Sequence, residues 1–508
     1  MEKMKILDLL IKYETWVKKG EIQFLKNKPK EQKKVLGLVN DLISDFRKAS
    51  GTGKEGGLSV NLQWHETHKK GKDLWETLAS AALNDIDSDS KGNSKLFGFI
   101  TAATNFEDLL YGLDTYYRDH TLHSIWVYFV GEHILRDLLP DVHGNLNWYV
   151  YNDIERDKSD YSDRLLKDAR QKEKELYKKV NEHRDAVWCL ISLCHDLGYS
   201  VSKLDKLNEK VKEVLEYFDI PDFQHVGYSL DIEHQFIVSQ FLELMAMEVR
   251  IVPSIDLKDI RIRCYRDDTI YWRLCRGFEK KQHGILSSYL IYKILGIFAD
   301  ASMRGVAEEW GFEDPEAIDN IILGDILFAI AQHDFDFAHL NQLSSLADIL
   351  ILADEIEEFS RYGRPLSSRQ YHDTTAEVEI SFNKAKQGKD IELNITYEVY
   401  PSHPLAKFFE RKAEKLCRMY SLRQQDTNIN NAISYTIKSI NMTAEQKDEK
   451  LRLHLRRDSD NKGYLPGYGD KYGKGEYIIE IHDDKLHVDT KDDRILLKEW
   501  LGLNNGNK

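Results

Sequence analysis

The order of apolar and polar positions divides the chain into a long helical part and a shorter part that is rich in strands. Residues 1–50 and about 72–362 have apolar positions at helical spacing. After Pro365, stretches such as 376–383 and 390–399 alternate polar and apolar residues, which is typical of half-buried strands. The sequence therefore predicts a mainly α-helical bundle followed by a C-terminal α+β domain.

These changes of pattern predict three domains. An N-terminal helical segment covers residues 1–95, a helical domain covers 96–365, and the α+β domain covers 370–508. Within the helical domain, residues 200–278 contain amphipathic helices that lie between the segments with candidate site residues. We interpret this stretch as an insertion.

Two polar loops are predicted to interrupt the helical pattern, near residues 141–165 and 250–270. In the C-terminal part, an amphipathic helix over residues 404–422 lies between the predicted strands.

Composition limits the classes of protein to which the chain can belong. Hydrophobic residues make up 42% of it and charged residues 31%, as in globular proteins. No apolar run reaches the roughly 18 residues of a membrane span, so we expect no membrane association. The net charge of −14 disfavours broad binding to nucleic acid, which requires surplus Lys and Arg. Cys189 and Cys194 lie in an apolar stretch without a C-x-x-C pair, which indicates buried free thiols and a reducing cytoplasm.

Several histidines and aspartates lie on the apolar faces of predicted helices. A single histidine in such a place is usually a hydrogen-bonded core residue. Inward-facing imidazoles and carboxylates on several helices are instead typical of a metal site in a helix bundle. The candidate ligands are His123, the adjacent pair His195 and Asp196, then His283, His333 and Asp354.

The order of these residues resembles the HD superfamily of metal-dependent phosphohydrolases, whose minimal signature is H…HD…D. His123, the pair His195–Asp196 and Asp354 match the signature, and "HDLGY" continues as the family does, with a glycine at the helix end. The resemblance covers about residues 115–362. A separation of 158 positions between Asp196 and Asp354 implies a large insertion.

Members with two or more metals add histidines between the doublet and the last aspartate, which is the interval that contains His283 and His333. The sequence has no G-Y-P motif of the cyclic-dinucleotide branch, since "PGYGD" at 466–470 lies in another domain and has another order, so we do not assign that activity.

The resemblance implies a hydrolase that cleaves a phosphoester or phosphoanhydride of a nucleotide-type substrate with a metal-activated water. It also implies that Asp196 bridges two ions. The ligand types suit one or two ions of Mn, Fe, Co, Ni or Zn better than Mg alone. His120, one turn before His123, is a candidate proton donor to the leaving group; the alternative is a residue that only supports a ligand.

Arg361 is a candidate for substrate phosphate binding. It lies seven residues after Asp354, which would be two turns along the same helix face, and arginine can contact a phosphate with two nitrogens. An ion pair with Glu357 or Glu358 is the alternative.

Two other functions are compatible with the sequence. One is an HD-type nuclease acting on single-stranded nucleic acid, favoured by the cationic row Arg452, His454 and Arg456 but disfavoured by the net charge. The other is a regulatory protein that senses a nucleotide without hydrolysing it. A homo-oligomer is compatible with any of them. Because every candidate metal ligand precedes it, we expect the α+β domain to be dispensable for metal binding and needed for substrate choice or assembly.

Overall fold

Helices form most of the chain up to residue 356 in this computed structural model, and strands form most of the described chain after residue 375. The predicted fold class, a mainly helical part followed by an α+β part, is confirmed at this level. The structure describes residues 6–51, 64–88, 92–110, 116–118, 120–139, 150–219, 227, 229–295, 314–334, 340, 342, 343, 345–363, 376–384, 390–401, 403–419, 435–447, 449–456, 477 and 478. Within these ranges, no helix has both the length and the apolar character that crossing a membrane requires.

The N-terminal helices share one core with the rest of the bundle. In α1, the side chains of Leu9, Tyr13 and Val17 are fully or almost fully buried. The hydroxyl of Tyr13 lies 3.0 Å from that of Tyr128 in a central helix. The helices of this segment are α1 (Ile6–Lys19), α2 (Gln23–Lys26), α3 (Pro29–Gly51), α4 (Trp64–Ile86) and α5 (Asn93–Leu110).

The central helices carry the candidate ligands. They are α6 (His120–His133), α9 (Arg184–Cys194), α14 (His283–Leu295), α15 (Asp314–Gln332) and α16 (Leu346–Ile356). In α6 every residue from Thr121 onward is buried, and α9 is buried along its whole length. A helix that is apolar on all sides belongs inside a bundle. Helix α6 packs against α9 and α16, and α15 packs against α9 and α14.

Shorter elements connect these helices. They are β1 (Tyr116–Arg118), a π-helical turn (Ile134–Leu138), β2 (Val150–Asn152), α7 (Asp153–Arg156), a 3₁₀ turn (Lys158–Asp160), α8 (Asp163–Glu182) and α10 (Tyr199–Ser202).

The predicted insertion contains helices and also two strands that the sequence pattern did not lead us to predict. Its elements are α11 (Leu204–Glu216), α12 (Ile232–Met245), β3 (Met247–Pro253), β4 (Ile260–Arg266) and α13 (Asp268–Glu279). Strands β3 and β4 pair antiparallel, and β2 pairs parallel with β3. The prediction of polar loops over 141–165 and 250–270 is therefore wrong where these strands form. In β4, Ile262 is buried and Arg261 is exposed, as expected for a strand with alternating apolar and polar residues. The many charged residues of this stretch make the alternation resemble a polar loop.

The C-terminal part is a mixed sheet with one described helix. Its elements are β7 (Ala376–Lys384), β8 (Asp390–Val399), α17 (Leu405–Met419), β9 (Tyr435–Gln446), β10 (Glu449–Arg456) and β11 (Tyr477–Ile478). The strand order is β11-β10-β9-β8-β7. Among its described strands only β8 and β9 pair parallel, and α17 lies between them in the sequence, because a parallel pair needs a crossover connection.

The sheet and the helical part also contact each other away from the segment that connects them. Strand β5 (Gln342–Leu343), which precedes α16, pairs antiparallel with β9. The amide of Leu340 donates a hydrogen bond of 2.7 Å to the carbonyl of Met419 at the end of α17. Strand β5 is therefore part of the C-terminal sheet. The three predicted domain boundaries stay predictions.

Candidate metal centre

The six predicted metal ligands converge at the ends of the central helices. Two groups of three have ligand atoms that all lie within 4.8 Å of one another. The first group is His123, His195 and Asp354; the second is His195, Asp196 and His333. His283 joins the second group, because its Nε2 atom lies 3.1 Å from that of His333 and 3.2 Å from Oδ1 of Asp196.

Asp196, a member of the second group, also faces the first group. Its Oδ2 atom is 3.5 Å from Nε2 of His123 and also 3.5 Å from Nε2 of His195. Its Oδ1 atom faces His283 and, at 3.6 Å, His333. One carboxylate thus directs one oxygen toward each group.

Each histidine is oriented by an acceptor on its other ring nitrogen. Nδ1 of His195 lies 2.7 Å from the carbonyl of Ser192, and Nδ1 of His333 lies 2.6 Å from that of Ile330. Both histidines directly follow the last residue of a helix, where backbone carbonyls lack a partner one turn ahead. A histidine at this place can donate its Nδ1 hydrogen to the carbonyl three residues earlier, which turns Nε2 toward the centre.

His123 and His283 use carboxylates for the same purpose. Nδ1 of His123 lies 2.6 Å from Oε2 of Glu357, and Nδ1 of His283 lies 2.7 Å from Oδ2 of Asp334. Nε2 of His123 lies 2.9 Å from Oδ1 of Asp354. Glu357 and Asp334 were not identified as orienting residues from the sequence. The adjacency of Asp334 to His333 was a usable signal, whereas the contact of Glu357 depends on where α16 ends.

The protonation of these groups depends on their burial and their neighbours. Burial lowers the pKa of the His195 imidazole to about 3, so this ring is neutral at pH 7. Burial alone would raise the pKa of Asp196, but His195 and His283 hold the pKa of this carboxyl well below its usual range. For His283 burial is outweighed by Asp334 and Asp196, which raise its pKa to about 10.

Glycines allow the helices that carry the ligands to approach one another closely. A Cβ atom at Gly198 would lie 2.4 Å from the carbonyl oxygen of His283, and one at Gly284 would lie 2.8 Å from the carbonyl oxygen of Ile330. The amide of Gly198 donates a hydrogen bond of 2.7 Å to Oγ of Ser287. The glycine in "HDLGY" therefore brings the His195–Asp196 turn against the start of α14.

His120 lies beside the centre. Its ring centroid is 4.1 Å from that of Tyr199, whose ring is 5.5 Å from that of His283. His120 and Asp196 line the same open cleft, together with apolar side chains and the hydroxyl residues Thr104, Thr121, Ser124 and Ser200.

Arg361 is not on the helix of Asp354. Helix α16 ends at Ile356, where the backbone of Glu357 turns extended with ψ 119°, and the prediction that the helix continues is wrong. Glu357 ends it by accepting hydrogen bonds from the backbone amide and the hydroxyl of Ser360. Arg361 begins strand β6 (Arg361–Gly363) and pairs with Arg118 of β1. Its side chain lies outside the described part of the structure, and its role in substrate binding stays a prediction.

The donor set fits a divalent metal ion. Four imidazoles and two carboxylates converge there, and the other ring nitrogen of each histidine faces an acceptor, as in metal-bound histidines. The buried histidines and aspartates could therefore hold a metal ion. Their arrangement is compatible with a domain that has the H…HD…D signature. Comparisons of the chain with protein-family models, curated proteins and solved structures gave no match.

Proposed function

We propose that this chain is a metal-dependent phosphohydrolase of the HD type, which cleaves a phosphoester or phosphoanhydride of a nucleotide-type substrate. The observation that carries the proposal is the convergence of four Nε2 atoms on Asp196 and Asp354 while the Nδ1 atoms are held by acceptors. A histidine that only stabilises a core does not need three other imidazoles within reach of the same carboxylate.

The residues would act in distinct ways. His123, His195 and Asp354 would hold one ion, and His283 and His333 a second, with one oxygen of Asp196 directed to each. A divalent ion held there lowers the pKa of a water molecule that it binds and stabilises negative charge on a phosphoryl oxygen. Mn, Fe, Co, Ni or Zn suits these donors better than Mg alone.

The cleft next to Asp196 supports the choice of a phosphate ester with an organic group. Its described lining contains no Lys or Arg, and it offers apolar side chains and hydroxyl oxygens. Ser124 and Thr104 donate their hydroxyl hydrogens to backbone carbonyls of their own helices, so their oxygens are left to accept. Such a cleft favours a substrate whose organic part is uncharged and carries hydroxyl or amino groups as hydrogen-bond donors. His120 lines the same cleft, and we propose that it protonates the leaving oxygen.

The test compares Asp196→Asn with Asp325→Asn, which is a matched control. Asp325 is a buried acid of α15, and burial raises its pKa to about 8, so an amide replaces it at pH 7 without much change of charge. We expect the wild type and Asp325→Asn to bind Mn²⁺ and to hydrolyse a nucleotide. Asp196→Asn should be folded, with at least tenfold weaker Mn²⁺ binding and no measurable hydrolysis.

Metal content, far-UV circular dichroism and product formation from nucleoside triphosphates, cyclic nucleotides, single-stranded RNA and single-stranded DNA are the measurements. Cleavage of the polymers alone would favour the nuclease. Metal-dependent nucleotide binding without turnover would favour the regulatory protein. If folded Asp196→Asn keeps its metal and its hydrolytic rate, the proposed centre is wrong.

A further inference from the structure

The end of α16 has acidic residues on two sides. Asp354 and Glu357 contact the two ring nitrogens of His123, at 2.9 Å and 2.6 Å. Glu355 and Glu358, which are 3% and 0% exposed, face helix α17 of the C-terminal part instead. The residues that hold His123 thus alternate with residues that hold another element.

Lys412 of α17 is the centre of the second set of contacts. Its Nζ atom lies 3.0 Å from Oε1 of Glu355 and 2.7 Å from Oε1 of Glu358. It also donates a hydrogen bond to the backbone carbonyl of Glu355. Lys412 is 1% exposed, so one buried ammonium group contacts two carboxylates and a carbonyl at the end of α16.

Two neighbouring cations complete this charge cluster, which we call the α16–α17 ion cluster (Glu355, Glu358, Arg411, Lys412 and Lys415). Nη2 of Arg411 lies 2.9 Å from Oε2 of Glu358, and Nζ of Lys415 lies 2.9 Å from Oε2 of Glu355. Every carboxylate oxygen of the two glutamates would lose a cation if α17 moved away by a few ångströms. Buried carboxylates without partners are strongly unfavourable.

The cluster therefore fixes the position of α16 relative to the C-terminal part at the turn that carries Asp354. A shift of that turn moves Asp354 and Glu357 together, because Asp354 directly precedes Glu355 and Glu357 directly precedes Glu358. Both contacts to His123 depend on the same turn. We propose that Lys412 is a positioning residue for the metal centre, through which the C-terminal α+β part sets the affinity of the centre for its ion.

This inference rests on the proposed metal centre. The direction in which metal affinity changes when Lys412 is replaced distinguishes a positioning role from simpler roles. If Lys412 acted only through its positive charge, its removal would leave more negative charge near Asp354 and strengthen cation binding. If Lys412 only stabilised the fold, its removal would lower the melting temperature and leave the affinity of folded protein unchanged. A positioning role requires weaker binding in protein that is still folded.

The experiment is a Mn²⁺ titration by calorimetry of the full chain, with Lys412→Met and Lys438→Met at a temperature where both are fully folded. Lys438 is the control, since it belongs to the same part of the chain and forms an exposed ion pair of 3.5 Å with Asp390. We expect Lys412→Met to bind Mn²⁺ about tenfold more weakly than the wild type, at the lower end of the effect of residues that orient metal ligands. Lys438→Met should bind it with unchanged affinity.

A milder variant keeps the test decisive if Lys412→Met does not fold. Lys415→Met removes a partly exposed cation from Glu355 and leaves Lys412 in place. We expect this variant to bind Mn²⁺ about threefold more weakly than the wild type. Unchanged or tighter binding in whichever of the two variants is folded overturns the inference while the proposed function stands. Absence of binding in the wild type overturns both.

Discussion

At the scale of single residues, the site is defined by how each imidazole is turned. Two histidines use a carbonyl of their own helix end, and two use a carboxylate from another part of the chain. The first device is local and depends only on a histidine directly after the helix. The second requires the chain to bring Glu357 to His123 across 234 positions. The orientation of His123 and His283 therefore depends on the folding of distant parts of the chain.

Replacement of Glu357 by glutamine tests the second device. Glu357 accepts from His123 and from both the amide and the hydroxyl of Ser360. A glutamine has one acceptor oxygen, so its amide group would face a donor at one of these contacts. We expect Glu357→Gln to bind Mn²⁺ about 10- to 100-fold more weakly, measured by calorimetry.

The exposed residue Glu213 provides the comparison, because Glu213→Gln changes the same functional group on the surface of α11. Equal affinity of Glu357→Gln and Glu213→Gln would contradict the orienting role of Glu357.

At the scale of elements, close approach between helices matters as much as the ligands they carry. The turn after α9, the start of α14 and the end of α15 meet where glycines leave room for backbone atoms. Helices normally pack about 8–10 Å apart, and larger side chains at the contact increase that distance. Gly198 and Gly284 let ligands from three elements reach one carboxylate.

Gly198→Ala should damage the centre more than the stability of a helix. Its Cβ atom would lie 2.4 Å from a backbone oxygen of His283, which cannot rotate away as a side chain can. We expect the start of α14 to shift and Mn²⁺ binding to weaken at least tenfold, with the helical circular dichroism retained.

Gly37→Ala is the matched variant, because a Cβ atom there meets nothing within 4 Å in α3. It should stabilise the helix by up to about 1 kcal/mol and leave metal binding unchanged. If both variants bind Mn²⁺ like the wild type, the close contact at Gly198 does not position His283.

The sequence predicts elements well where one local signal decides them. The alternation in residues 390–399 matches the bounds of β8, and the apolar faces of α6 and α9 correctly indicate the inward direction of His123 and His195. The prediction failed at Arg361, because the helical pattern continues past Ile356 while the backbone follows the hydrogen bonds of Glu357 and Ser360. Glu357 accepts those hydrogen bonds and also contacts His123. A contact between residues so far apart in the chain cannot be predicted from the spacing of apolar residues.

At the scale of the whole molecule, the helical part and the C-terminal part each contribute contacts to the other. The helical part contributes β5 to the sheet, and α17 contributes Lys412 to the end of α16. From the sequence, residues 370–508 are predicted to be dispensable for metal binding. The contacts of Lys412 give a physical reason to expect the opposite.

A chain that ends at residue 368 should therefore be less stable than the full chain. It leaves Glu355 and Glu358 without Lys412, and breaking a buried ion pair from one side costs about 3–5 kcal/mol. We expect a lower melting temperature by differential scanning calorimetry and less bound metal after dialysis against Mn²⁺. A truncated chain with the melting temperature and metal content of the full chain would support the sequence-based division instead.

The pairing of His123 with Asp354 also has a consequence for synthesis on the ribosome. These residues are 231 positions apart, and Lys412 and β9 come later still in the chain. Chains begin to fold from the N-terminus while they are being made, so the histidines of the early helices emerge long before the carboxylates that orient and complete them. The interior of the helical part therefore stays incomplete during much of synthesis, and the proposed metal centre has all of its candidate ligands only after residue 354 of 508 has been made.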